Sequence, residues 1–117
     1  MGASPDFRDF VLEMLEPFGR VTARAMFGGV GLFRDSLMFG LISSEDVLYL
    51  RVDDGNRKEF EARGLGPFTP SPACVMPYYE TPSDALEDAE LLSAWAARAW
   101  EAARRSGTRA KKRRKRR

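Results

Sequence analysis

The sequence has no histidine and one cysteine, Cys74. Without histidine there is no Ser-His-Asp triad, no imidazole general base and no His-ligated metal. One cysteine excludes an intrachain disulfide and a multi-cysteine zinc site, and it fits a reducing compartment. No apolar run approaches the roughly 20 residues needed to cross a bilayer, so no membrane role is expected. The opening Met1–Asp9 carries two acids and no export-type apolar run, so the expected location is the cytoplasm. A length of 117 residues leaves room for one ordinary domain.

What is present is charge, and it is polarised. The formal net charge of +2 is a cancellation. Residues 104–117 hold ten Lys or Arg and no acid, whereas residues 1–103 hold nine basic and seventeen acidic residues, a net of −8. An acidic body is joined to a strongly basic tail.

The body opens with a helix. Ser4 suits the N-cap, Pro5 the first helical position and Asp6 the positive end of the helix dipole. Phe7, Phe10, Val11, Met14, Leu15 and Phe18 form one apolar stripe at helical spacing, ended by Pro17 and Gly19. Four strands then follow: Val21–Phe27, Val30–Phe33, Leu37–Ile42 and Val47–Val52. Connections this short predict an antiparallel meander, because a parallel crossover needs a dozen residues or more.

Asp53 or Asp54 caps a short helix to about Arg63, stopped by Gly64, with Phe60 and Ala62 facing inward. Gly66–Pro72 is too rich in proline for a central strand. Cys74–Met76 and Tyr78–Glu80 read as a late strand broken or edged by Pro77, and Thr81–Asp84 reopens helical sequence. A last helix is expected from about Asp88 to Arg105, with Leu92, Trp95, Ala96, Ala99, Trp100 and Ala103 as its stripe. Ser106-Gly107 would end it. Residues 108–117 carry eight cations and one apolar residue, so the tail is expected to be disordered when free.

Four blocks in order carry a resemblance: Arg24-Ala-Met-Phe-Gly-Gly29, Leu37-Met-Phe-Gly-Leu-Ile42, Leu48-Tyr-Leu-Arg-Val-Asp53 and Met76-Pro-Tyr-Tyr-Glu80, closed by Leu91-Leu92-Ser-Ala-Trp95. Together they resemble the N-terminal domain of the TfoX/Sxy family over roughly residues 7–103. The motif residues carried over are Arg24, Met26, Phe27, Gly28, Gly29, Met76, Pro77, Tyr78 and Tyr79. The resemblance implies an α+β domain with an antiparallel sheet flanked by helices, similar to secretion-chaperone-like folds. It also implies a bacterial, non-enzymatic regulator acting with a cAMP-receptor-type transcription activator. Long members carry a second domain where this chain has a basic tail, and the stretch before Met76 is shorter here.

Each candidate site has a plain structural reading beside the functional one. Gly28-Gly29-Val30-Gly31 could cradle a phosphate, but it lacks the Lys-Ser/Thr of a Walker A loop. A tight turn or bulge between strands, needing positive φ or a close backbone approach, is the preferred reading. Arg24, Tyr78, Tyr79 and Glu80 could form an acid–base cluster, yet an edge strand with one tyrosine inward and the next outward needs no catalysis. Arg24 would then pair with Glu80 or Asp53. Cys74 reads as a small, half-buried hydrophobe, and the stripe tryptophans read as core, with an exposed Trp100 the more informative outcome.

The tail is the strongest chemical signal. Arg109, Lys111, Lys112, Arg113, Arg114, Lys115, Arg116 and Arg117 should bind DNA or RNA phosphates by releasing counterions. With no aromatic among them they cannot stack on bases. Solvation, or charge screening of the acidic body, remains open for the same residues. The expectation is an α+β domain over residues 1–105, a meander plus a late strand between N- and C-terminal helices, then a basic tail over 106–117. No enzyme activity, cofactor or metal is expected. The chain reads as a regulatory or adaptor protein with a protein partner such as a transcription activator. The alternative is a protein-interaction module with no nucleic-acid role. A homodimer through a helix or sheet edge is expected by analogy alone.

Overall fold

The computed structural model describes residues 3–26 and 28–115, with side chains through residue 106 apart from the undescribed Phe27. Helix α1 spans Pro5–Met14, and its Ser4 hydroxyl accepts from the Phe7 amide at 3.1 Å, the expected cap. Five strands follow: β1 (Thr22–Met26), β2 (Gly29–Arg34), β3 (Leu37–Ile42), β4 (Leu48–Arg51) and β5 (Tyr78–Glu80). Helix α2 (Arg57–Ala62) and a 3-10 turn (Ser83–Glu87) flank β5, and α3 runs from Ala89 to Lys115. The strands pair in chain order as an antiparallel meander. The α+β architecture therefore stands as the hydrophobic patterning predicted.

Alternation divides the sheet into two faces. Val30, Leu32, Ile42, Leu48 and Leu50 point towards the helices and are buried with Phe39, Leu92, Ala96 and Ala99. The small stripe of α3 lets that helix lie close on β3 and β4. Thr22, Arg24, Met26, Phe33, Met38, Leu41 and Tyr49 share the other face. The β2–β3 turn is built by Asp35 (φ 52°) and Ser36 (φ 67°), a left-handed pair that matches the twist of a two-residue hairpin. Asp46, also left-handed (φ 62°), accepts the Ser4 amide at 2.7 Å and ties the start of α1 to the β3–β4 turn.

Several details differ from the sequence reading. The late strand begins at Tyr78, not Cys74, because Phe68 and Met76 are held in a loop against it. Ala62 is exposed, and Phe60 alone of the two faces inward. Asn56, not Asp53 or Asp54, occupies the cap position of α2. The helical backbone of α3 continues through Ser106-Gly107 to Lys115, where a stop and a disordered tail were expected. One glycine inside a helix costs about 1 kcal/mol relative to Ala, which a preformed helix of good helix formers can absorb. Among the described residues no helix is long and apolar enough to cross a membrane.

Candidate functional site

Where α3 leaves the sheet, a set of polar side chains fastens it. The Asp53 carboxylate receives a two-pronged hydrogen bond from Arg105, at 2.7 and 2.8 Å. Asp53 can do this because Asp53-Asp-Gly-Asn56 forms a tight turn. The Asp53 carboxylate accepts from the Gly55 amide, the Asn56 side chain accepts from the Asp53 amide, and its NH2 donates to the Arg51 carbonyl. Hydrogen bonding to Asp53 pushes the Arg105 pKa above its usual value, which keeps the guanidinium charged.

Two further contacts brace the same junction. Arg51 donates to the Ser106 hydroxyl at 2.9 Å while its guanidinium lies 5.5 Å from the Tyr78 ring centre. Trp100 donates its indole N–H to the Arg34 carbonyl at 2.8 Å, and the Arg34 guanidinium sits over both Phe18 and Trp100. Trp95 packs edge-on to Phe60. Both tryptophans therefore act in packing. Tyr78 is 4% exposed, and its hydroxyl reaches the Met38 carbonyl at 3.4 Å. Burial raises its phenol pKa, and the neighbouring Arg51 pulls in the opposite direction.

The motif residues of the non-helical face build structure in a definite way. Gly28 takes φ +75°, and a Cβ on Gly29 would sit 2.1 Å from the Ile42 carbonyl oxygen. Met26 lies over Gly31, where an added Cβ would meet its Cε at 2.8 Å. A turn and two close approaches thus account for the glycine cluster. Met26, Met38, Leu41, Phe68 and Met76 line an apolar niche of about 20 Å³. That is room for about one water and far below the ~300–1,000 Å³ of a small-molecule site. Pro77 offers its carbonyl to the Val52 amide, and Tyr79 packs on Phe60 with its hydroxyl near Glu61. Phe27 lies outside the described residues.

Two expected contacts are absent. Arg24 is on β1 and Glu80 on β5, four strand spacings apart, or about 19 Å. Arg24 lies over the Phe33 ring at 5.4 Å, and Asp53 takes Arg105 instead, so Arg24 joins neither acid. The proposed Arg24–Tyr78–Glu80 cluster is dispersed across the sheet. Cys74 is exposed rather than half-buried, because its loop turns back through Ser71. Among the described residues no group of three or more His, Cys, Asp or Glu could hold a metal.

Of the tail cations, Arg109 and Lys111–Lys115 lie on the last turns of α3 by backbone, and their side chains lie outside the described residues. Arg116 and Arg117 lie wholly outside them. Sequence reasoning missed Asn56, Arg34 and Arg105 as parts of the junction. The Asp-x-x-Asn spacing was a readable turn signal; the partnership of Asp53 with a residue 52 positions away was not.

Comparison with protein families gives a match to the TfoX N-terminal domain over residues 13–103. It ends two residues before Arg105 and leaves the cationic end of α3 outside. Comparison with curated proteins gives no match.

Proposed function

The chain belongs to the TfoX N-terminal domain family, and on that premise we propose a non-enzymatic regulatory or adaptor protein. Its folded domain engages a protein partner, such as a transcription activator. Its cationic helix end holds nucleic acid without sequence preference. A transcription- or competence-related role in the cytoplasm, without a cofactor, is the setting this reading takes from the family. The observation that supports it most is the continuity of α3. One helix is packed on the sheet at its start and carries eight Lys or Arg and no acid from Arg104 to its end at Lys115. The body, at net −8, should repel phosphate, so any sequence preference must come from the partner.

The test is a salt titration of duplex binding. If eight phosphates are neutralised, log K should fall against log salt with a slope of about −7. Removing residues 107–117, which spares the Ser106 contact with Arg51, should abolish binding at low salt and leave the melting temperature nearly unchanged. Equal binding by the shortened chain would leave the alternative, a protein-interaction module whose cations never meet nucleic acid.

A further inference from the structure

The two edges of the sheet are finished differently. At the β5 edge, the Phe68 amide donates to Tyr78, the Glu80 amide donates to Gly66, and Pro67 bridges Tyr79. At the β1 edge, among the described residues, no backbone group outside the β1–β2 ladder pairs with Thr22–Met26. An unpaired edge is a template for another strand. Beside it runs a groove of about 570 Å³ between β1 and α1, lined by Arg8, Leu12, Arg20, Val21, Ala23 and Ala25 among others.

The charges at this edge run against those of the body. Three of the nine basic residues of 1–103 lie here: Arg8 and Arg20 in the groove and Arg24 on β1. Arg8 pairs with Asp9, which also lines the groove. Neither Arg20 nor Arg24 has an ion pair among the described residues. A second copy fits poorly, because a two-fold β1–β1 pairing centred on the strand sets Arg24 opposite Arg24, and like charges directly opposite are destabilising.

We propose that the β1 edge takes an extended acidic segment of a partner protein as a sixth strand. The side-chain period of two dictates its pattern. Alternate residues turn small or apolar side chains into the groove over Leu12, Val21 and Ala23. The residues between them are Asp or Glu, which meet Arg24 on the opposite face, with further acids near Arg20 at the groove rim. This surface is separate from the cationic end of α3, so the proposal stands or falls independently of nucleic-acid binding.

The test is an NMR titration of the full chain with an acetylated, amidated peptide of alternating valine and glutamate, against its valine–lysine counterpart. The expected result is amide shifts confined to residues 20–26 and the facing side of α1, with the lysine peptide silent. Arg24→Glu should weaken binding at least about fivefold, since it replaces a favourable cross-strand pair with a repulsive one. Replacing the Lys and Arg of 109–117 with Gln should leave it unchanged. Equal response to both peptides, shifts confined to the end of α3, or loss of binding in the Gln variant would overturn the proposal. So would a concentration-dependent dimer that covers β1. The comparison of the two peptides on the unaltered chain decides the matter even if Arg24→Glu does not fold.

Discussion

The two parts of α3 belong to one helix and are held in place by different physics. Up to Ser106 it is a packed element: Leu92, Ala96, Ala99 and Ala103 lie against the sheet, and Trp100, Arg105 and Ser106 are each hydrogen-bonded to other parts of the fold. Beyond Ser106 the sequence offers one apolar residue among its cations. An isolated peptide of that length and charge would be a poor helix, because nucleation is costly and like charges at i,i+4 repel. Attached to a helix already formed, it needs propagation alone. The packed part therefore determines whether the cationic part is presented as a rod, and the junction at Asp53 and Arg51 is where one depends on the other.

Predictions that would break this contrast run from the core outward. Leu92→Ala, in the packed part, should cost about 2–5 kcal/mol in urea unfolding. A cost below 1 kcal/mol would mean that α3 does not rest on this stripe. At the junction, Asp53→Ala removes the acceptor of both Arg105 and the Gly55 amide, and because the Arg105 side chain is 41% exposed and can be rehydrated, the cost should be about 1 kcal/mol. Far-UV circular dichroism should also report lost helix, and a chain equally helical after this change would show that the cationic part does not depend on the clasp.

A smaller effect comes from pH. Tyr78 binds its proton more tightly folded than unfolded, because burial raises its pKa above 10. Its contribution is present below about pH 10 and is lost as pH rises through the folded value. Tyr49 and Tyr79 are shifted the same way and share the loss. Stability should decline above about pH 10, and Tyr78→Phe should make that decline shallower; an unchanged slope would remove Tyr78 from the account. Smallest in stability is Lys111, Lys112, Arg113 and Arg114→Gln together, expected within about 0.5 kcal/mol. The same change should lower the magnitude of the salt slope of duplex binding by about four. A large fall in melting temperature would show that these cations are structural.

Much of the fold was legible because it obeys local rules. Phe7 to Phe18 repeat at helical spacing, β4 alternates, and Ser4-Pro5-Asp6 opens a helix in a way that needs no distant partner. The glycine cluster was readable as backbone necessity, which the φ of Gly28 and the approach of Gly29 to Ile42 bear out. The site was less legible. Arg24 looked like a partner for an acid because both residue types were present, but register placed it over Phe33 at the far edge from Glu80. The break at Ser106-Gly107 was read from local propensity, which cannot weigh a helix already nucleated and clasped by side chains some fifty residues away.

The sequence by itself determined the element order, the antiparallel meander and the separation of an acidic body from a cationic end, because periodicity, connection length and charge are properties of neighbouring residues. Tertiary structure alone decided which cations are engaged and which stand open. Arg105 is spent on Asp53 and Arg34 on Phe18 and Trp100, while among the described residues Arg20 and Arg24 have no ion pair and flank the edge of β1 that faces away from β2. That assignment depends on which residues lie opposite one another across the sheet, and no short-range pattern encodes it.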